Sequence, residues 1–148
     1  MPSKEDKSFF VVGIGNPLRG DDGLGVLLAE QIAKRDIPGV KVITSPMLNL
    51  ELLEDAIGYE KILVIDACTV GEGIVFKKIQ FSSTGSLGSS HHLSPEFFLA
   101  MAHELYEKDL NLYVCSLRAE NFDVPHSLSS KVLSMIPNAL VEIEAFLS

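Results

Sequence analysis

At 148 residues the chain is long enough for one ordinary domain and too short for two, so a single core has to carry both fold and site. Hydrophobic residues make up 47% of it, which predicts a well-filled interior, yet no apolar run approaches the roughly 18 residues of a membrane span, and a soluble protein is expected. The formal net charge of −8, with Lys and Arg scattered along the chain, argues against nucleic acid or an anionic membrane as partner.

Met1 to Ser8 mixes Lys, Glu and Ser without the apolar stretch of a secretory signal. It reads as a short lead-in to one domain spanning 1–148, and the cytoplasm is the expected location. Phe9 to Gly15 (FFVVGIG) is a continuous apolar run closed by glycine, as in a strand buried on both faces, β1. A loop rich in Gly, Asn, Pro and Asp follows. Leu24, Leu27, Leu28 and Ile32 then recur at helical spacing from Gly23 to Lys34, which predicts α1. Ile37-Pro38-Gly39 breaks that helix. Val40 to Thr44 is β2, and Leu48 to Ile57 resumes the helical period as α2 until Gly58 stops it.

Lys61 to Ala67 (KILVIDA) repeats the pattern of β1 and ends next to an acid; it is β3. Ile74 to Phe81, with Lys77 and Lys78, is wetter and suits an edge strand, β4. Ser82 to Ser90 is loop by composition. Ser94-Pro95-Glu96 has the form of an N-cap with proline at the first helical position, opening α3, which runs to about Glu107. Asn111 to Leu117 gives β5. The stretch from Ser127 to the C-terminus is a last amphipathic helix, α4, that Pro137 should kink or divide.

Alternating strands and helices call for an α/β fold: a single three-layer domain with a mostly parallel, twisted five-stranded sheet and helices on both faces. The connection from β3 to β4, Cys68 to Gly73, is too short for a parallel crossover, so β4 should be one antiparallel edge strand.

Ligand sites in open parallel sheets lie beyond the carboxyl ends of the strands, which directs attention to the polar residues after β1 and β3. Asp21 and Asp22 stand at the mouth of α1. One of them, Asp21 by preference, suits a helix cap, where a carboxylate accepts a backbone N–H and favours the dipole. The other is left over for a site. Asp66 ends an otherwise apolar strand, and a partly buried aspartate there must be paired, hydrogen-bonded or bound to something.

His91-His92 precedes the cap of α3, Ser94, with Leu93 between. If α3 crosses the sheet toward a parallel β5, its N-terminus lies at the same edge as Asp66. The loop from Phe81, at about 3.3 Å per residue, can cover the return of roughly 30 Å. Two carboxylates and an imidazole would suit a divalent transition metal, and donor chemistry alone does not choose among zinc, iron and nickel.

Other features carry less. His103 falls mid-helix on α3 and His126 in the turn before α4, both expected to face solvent or cap backbone. Cys68 and Cys115, the two cysteines, end apolar runs without a C-x-x-C pair and are expected to be buried free thiols. Gly13-Ile14-Gly15-Asn16-Pro17-Leu18 begins like G-x-G-x-x-G, but Leu18 replaces the third glycine and Thr44, not an acid, closes β2, so no dinucleotide site is expected. Neither a Walker A motif nor a G-x-S-x-G elbow occurs.

Gly13-Ile14-Gly15-Asn16, then Gly20-Asp21-Asp22-Gly23-Leu24-Gly25, Asp66-Ala67 and Ser90-His91 together resemble the [NiFe]-hydrogenase maturation protease family over nearly the whole chain. The resemblance implies a hydrolase: a C-terminal processing endopeptidase, of aspartic type if a carboxylate activates the water. Its partner would be the precursor of a [NiFe]-hydrogenase large subunit, shortened after nickel insertion. The nickel would be carried by the substrate and contacted by Asp22, Asp66 and His91, with Asp22 or Asp66 as general base or nickel as Lewis acid. No organic cofactor is implied.

The family pattern has Asn or Gln where His92 stands, which keeps His92 as an alternative ligand. Ser45 to Leu52 replaces the family's Gly-Thr-x-Gly stretch, so the substrate-facing loop should differ. The run His91-His92-Leu93-Ser94-Pro95-Glu96 resembles the branch serving soluble, bidirectional or cofactor-reducing hydrogenases.

Two other readings compete. A phospho-receiver domain also carries acids after β1 and at the end of β3, although here Gly15 to Gly20 separates the acid pair from β1 and Ser116-Leu117-Arg118, rather than a lysine, ends β5. A non-catalytic nickel-binding hydrogenase chaperone on the same fold would bind a precursor without shortening it.

Overall fold

In the computed structural model, which describes residues 8–80, 93–122 and 128–148, the apolar run after the lead-in forms β1, Phe9–Ile14, with all six residues buried. Its side chains alternate between the two faces of the sheet. Phe9 and Val11 enter one core with Leu63 and Ile65, while Phe10, Val12 and Ile14 enter a second with Ile62 and Val64. A strand buried on both sides needs apolar residues at every position, which is why β1 and β3 read as unbroken hydrophobic runs.

The order is β1, two 3-10 turns over Pro17–Gly23, α1 (Leu24–Ala33), β2 (Val40–Ser45), α2 (Leu50–Ala56), β3 (Lys61–Cys68), β4 (Ile74–Lys78), α3 (Pro95–Tyr106), β5 (Asn111–Arg118) and α4 (Ser130–Leu147). The five strands lie in the order β2-β1-β3-β5-β4. Four are mutually parallel, and β4 runs antiparallel to β5 at the edge. Helices α1 and α4 cover one face through Leu24, Leu28, Ile32, Val132, Ala139, Ile143 and Leu147. On the other face lie α2 and α3, which bury Leu53, Ala56, Phe98, Leu99 and Ala102. The expected three-layer α/β domain with one reversed edge strand is what forms.

Local signals set most of the ends. Ser94 Oγ accepts the N–H of Phe97 at 3.0 Å with Pro95 opening α3, as its sequence predicts. Asn49 Oδ1 accepts the N–H of Leu52 at 3.1 Å, so α2 begins two residues later than its apolar period suggests and Leu48 belongs to the loop. Helix α4 starts at Ser130 behind the cap Ser129, a correction to the expected start, and of the two outcomes expected at Pro137 division does not occur, since the helix runs through it. Pro137 is exposed, and the packing of Val132, Ala139, Ile143 and Leu147 outweighs the roughly 3 kcal/mol that an internal proline costs.

The first turn of α1 sits directly on the sheet. A Cβ placed on Gly25 would lie 2.4 Å from the carbonyl oxygen of Ile65 and 2.6 Å from that of Ile14. Both obstacles are backbone of β1 and β3, so neither can turn away. Gly25→Ala should therefore lift α1 off the sheet at a cost of roughly 1–3 kcal/mol, seen as a lower urea midpoint with an unchanged far-ultraviolet spectrum.

Candidate active site

The sheet order reverses direction between β1 and β3: from β1 the chain moves outward to β2, and from β3 outward to β5 and β4. Open α/β sheets form a crevice at such a switch point, at the carboxyl ends of the strands. Asp22 lies in the turns that leave β1, and Asp66 occupies the sixth position of β3 in register with Ser116 of β5. Both are half-buried. Two of the three expected site residues thus come from the two strands that flank the crevice.

Asp22 is held by the loop that precedes it. Its Oδ2 accepts the backbone N–H of Asn16 at 3.0 Å. Asn16 in turn caps the first 3-10 turn, its Oδ1 accepting the N–H of Leu18 at 3.0 Å. Behind it, Gly15 adopts a φ of 145°, and a Cβ there would come within 1.9 Å of the carbonyl oxygen of Asp22. Gly15 is required on both counts, by its backbone angle and by this close approach.

The Asp66 carboxyl holds its proton more tightly than an ordinary aspartate. Burial is the main force raising it, the negative charge of Asp22 adds to that, and the backbone N–H of Ala67 opposes both; the carboxyl is pushed up from 3.8 to about 7. A group held near neutrality can take or give a proton at physiological pH, and the same repulsion makes the pair receptive to a cation. By the alternation of β3, Asp66 shares its face with Ile62 and Val64, the face covered by α2 and α3.

Asp21 departs from expectation. It does not cap α1, whose N-cap is Gly23 with no side-chain hydrogen bond. Its carboxylate is fully buried and reaches across the molecule instead: Oδ2 accepts the N–H groups of Glu120 at 3.0 Å and Asn121 at 2.9 Å and the hydroxyl of Ser129 at 2.9 Å, while Oδ1 accepts the N–H of Ser129 at 2.8 Å. Its own N–H donates to the carbonyl of Asn121 at 2.7 Å. Burial alone would raise this carboxyl, but the N–H groups of Asn121, Ser129 and Glu120 and the Ser129 hydroxyl outweigh it and hold it below 3.8. Nothing local marks this role, because the partners stand about a hundred residues away in sequence.

His91, His92 and His126 lie outside the described residues. His103 is largely exposed, and its Nδ1 lies 2.8 Å from Asp109 Oδ1 beyond the end of α3, away from the carboxyl edge. Cys115 is buried as expected, with its thiol pushed up to about 12 mainly by burial. Cys68 is only partly buried, a correction: at the end of β3 the sheet cover thins, and its thiol donates to the carbonyl of Val70 at 3.1 Å. Among the described residues, no three His, Cys, Asp or Glu side chains converge as a metal site. The receiver-domain reading meets an obstacle in the sheet, since receivers follow the order 2-1-3-4-5 and here β5 lies between β3 and an antiparallel β4.

No protein-family model matches the sequence, and no curated protein sequence matches it significantly. Solved structures do. The [NiFe] hydrogenase maturation protease HybD from Thermococcus kodakarensis superposes with a TM-score of 0.73 at 20% identity, covering 95% of this chain and 99% of its own. The maturation protease HycI from Thermococcus kodakarensis KOD1 gives 0.75 at 19% identity over 95% and 92% of the two chains. The hydrogenase maturating endopeptidase HybD from E. coli gives 0.74 at 21% identity over 95% and 91%. With nearly complete coverage in both directions, this chain has the fold of the [NiFe] hydrogenase maturation proteases.

Proposed function

We propose that the protein is an endopeptidase that removes the C-terminal extension of a [NiFe]-hydrogenase large-subunit precursor once nickel has been inserted. The observation that carries this reading is the Asp22–Asp66 pair at the switch point, on a fold shared end to end with maturation proteases. Such a pair of mutually repelling carboxylates suits a cation that arrives already held by the substrate. Nickel seated in the precursor would relieve the repulsion between Asp22 and Asp66 and thereby mark the substrate as ready. A third contact comes from His91, with His92 as the alternative. Support for it is indirect: Leu93, the next described residue, donates its N–H to the carbonyl of Leu48 at 3.5 Å, so the entry to α3 stands at the carboxyl edge beyond β2.

In this reading Asp22 and Asp66 contact the nickel and orient the scissile segment, and one of the two carboxylates acts as general base toward the attacking water. In the alternative version the substrate's nickel would be the Lewis acid, polarising the scissile carbonyl or activating the water. A cytoplasmic location, and a partner from the soluble, bidirectional or cofactor-reducing hydrogenases, complete the proposal.

The test is incubation with a nickel-loaded large-subunit precursor, followed by the mass of its C-terminus. Loss of a C-terminal peptide only from the nickel-loaded form is the expected result. Equal cleavage of a nickel-free precursor would refute recognition through the metal, and stable binding without shortening would make the protein a chaperone instead.

A further inference from the structure

We propose that Asp21 is a positioning residue for the site, locking the turns that carry Asp22 onto the β5–α4 connection so that Asp22 stays opposed to Asp66. This deepens the reading above and rests on it for its kinetic arm. The structure divides the work of the two adjacent acids. Asp22 turns toward the crevice with Asn16 as its partner, and Asp21 turns inward.

The inward carboxylate does more than fill a cap. It gathers four donors from three residues, Glu120, Asn121 and Ser129, at 2.8–3.0 Å, and its own N–H returns a fifth bond to Asn121. Those donors bracket the segment between β5 and α4, and Ser129 is also the cap of α4, its Oγ accepting the N–H of Val132 at 3.3 Å. The turns Pro17–Gly23 contain non-helical backbone at Arg19 and Gly20, so no continuous helical hydrogen-bond ladder runs through them. Asp21 adds a long-range restraint one residue before Asp22. A buried network with every donor answered fixes geometry in a way that exposed turns cannot.

The consequence is a coupling. A shift of the β5–α4 connection at Glu120, Asn121 or Ser129 would move Asp21, and through it Asp22, whereas Asp66 is fixed by the pairing of β3 with β5, in register with Ser116. The residues that follow β5 bond directly to the neighbour of Asp22 and meet β3 through the Ala119 N–H on the Cys68 carbonyl at 2.9 Å, two residues beyond Asp66.

Asp21→Asn tests this, because it keeps the shape but presents an amide N–H₂ to groups that are themselves donors. In the folded variant the Asn16 amide, bonded to Asp22, should exchange with solvent roughly tenfold faster. With a nickel-loaded precursor, kcat should fall roughly a hundredfold while KM stays within about twofold, as expected when the substrate still docks but the reacting groups are displaced. Ser129→Ala, which leaves the backbone donors in place, should show the same pattern to a smaller extent and serves if Asp21→Asn fails to fold. Unchanged exchange at Asn16 together with wild-type kcat, even at reduced stability, would make the clamp purely structural and overturn the proposal. Should the wild-type protein shorten no precursor, the protease reading fails, and exchange at Asn16 alone decides whether Asp21 positions Asp22.

Discussion

Asp66→Asn should abolish processing of a nickel-loaded precursor and, at pH 8, make the protein harder to unfold. The two effects have one origin. In the folded chain the Asp66 carboxyl is raised from 3.8 to about 7 by burial and by Asp22, so ionising it costs free energy that the unfolded chain does not incur. Between those values the folded state holds a proton that the unfolded state has lost, and stability falls as pH rises. Above about 7 the penalty is complete, and a shift of this size corresponds to up to roughly 4 kcal/mol.

An amide carries no such charge. The variant should match the wild type near pH 4 and exceed it at pH 8, as urea unfolding at the two values would show. Activity moves the other way, because an amide neither attracts a cation nor takes a proton from water, and the loss should reach roughly a hundredfold or more. Normal processing by Asp66→Asn would defeat both versions of the proposed chemistry, and equal stability at pH 8 would show that neither burial nor Asp22 penalises the ionised Asp66 carboxylate in the folded chain.

What the sequence disclosed and what it withheld divide along the range of the interactions. The strands β1 and β3 were readable because burial on two faces forces a continuous apolar run, and β4 was readable as reversed because Cys68 to Gly73 cannot make a crossover. Asp66 stood out for the same reason, as the one acid in an apolar strand. The cap of α3 was written locally in Ser94-Pro95.

The pairing of Asp22 with Asp66 was only half readable. Strand ends pointed to one edge, but the crevice is set by the place where the order turns from β2 to β3 around β1, which is a property of the whole sheet. Asp21 could not be read at all. A carboxylate at a helix mouth has a ready local explanation, and the competing one depends on Glu120, Asn121 and Ser129, brought close only by β5 and α4. Pro137 shows the same limit, since its cost is local and the packing that offsets it is tertiary.

Removing the Asp21 carboxylate altogether should be among the most damaging single substitutions in the chain. Asp21→Ala strips the acceptors from the N–H groups of Glu120, Asn121 and Ser129 at a position with no solvent access, and each orphaned donor costs about 1–3 kcal/mol unless water enters the space. A loss of about 3–5 kcal/mol is expected, a large part of the stability of a domain this size. The pH dependence separates this effect from that of Asp66.

Asp21 is held below 3.8 in the folded state, so its contribution is complete above 3.8 and disappears as pH falls through its lower, folded value. The two carboxyls therefore bend the stability curve in opposite senses: toward acid, stability first rises as the Asp66 penalty is relieved between about 7 and 3.8, then drops as Asp21 takes up its proton. The wild type should be most stable in mild acid. Asp66→Asn should flatten the neutral limb and keep the acid one, and Asp21→Ala should do the reverse. Urea unfolding of the three proteins from pH 3 to pH 8 would check this, and an acid limb that survives in Asp21→Ala would assign the clamp's contribution to some other group.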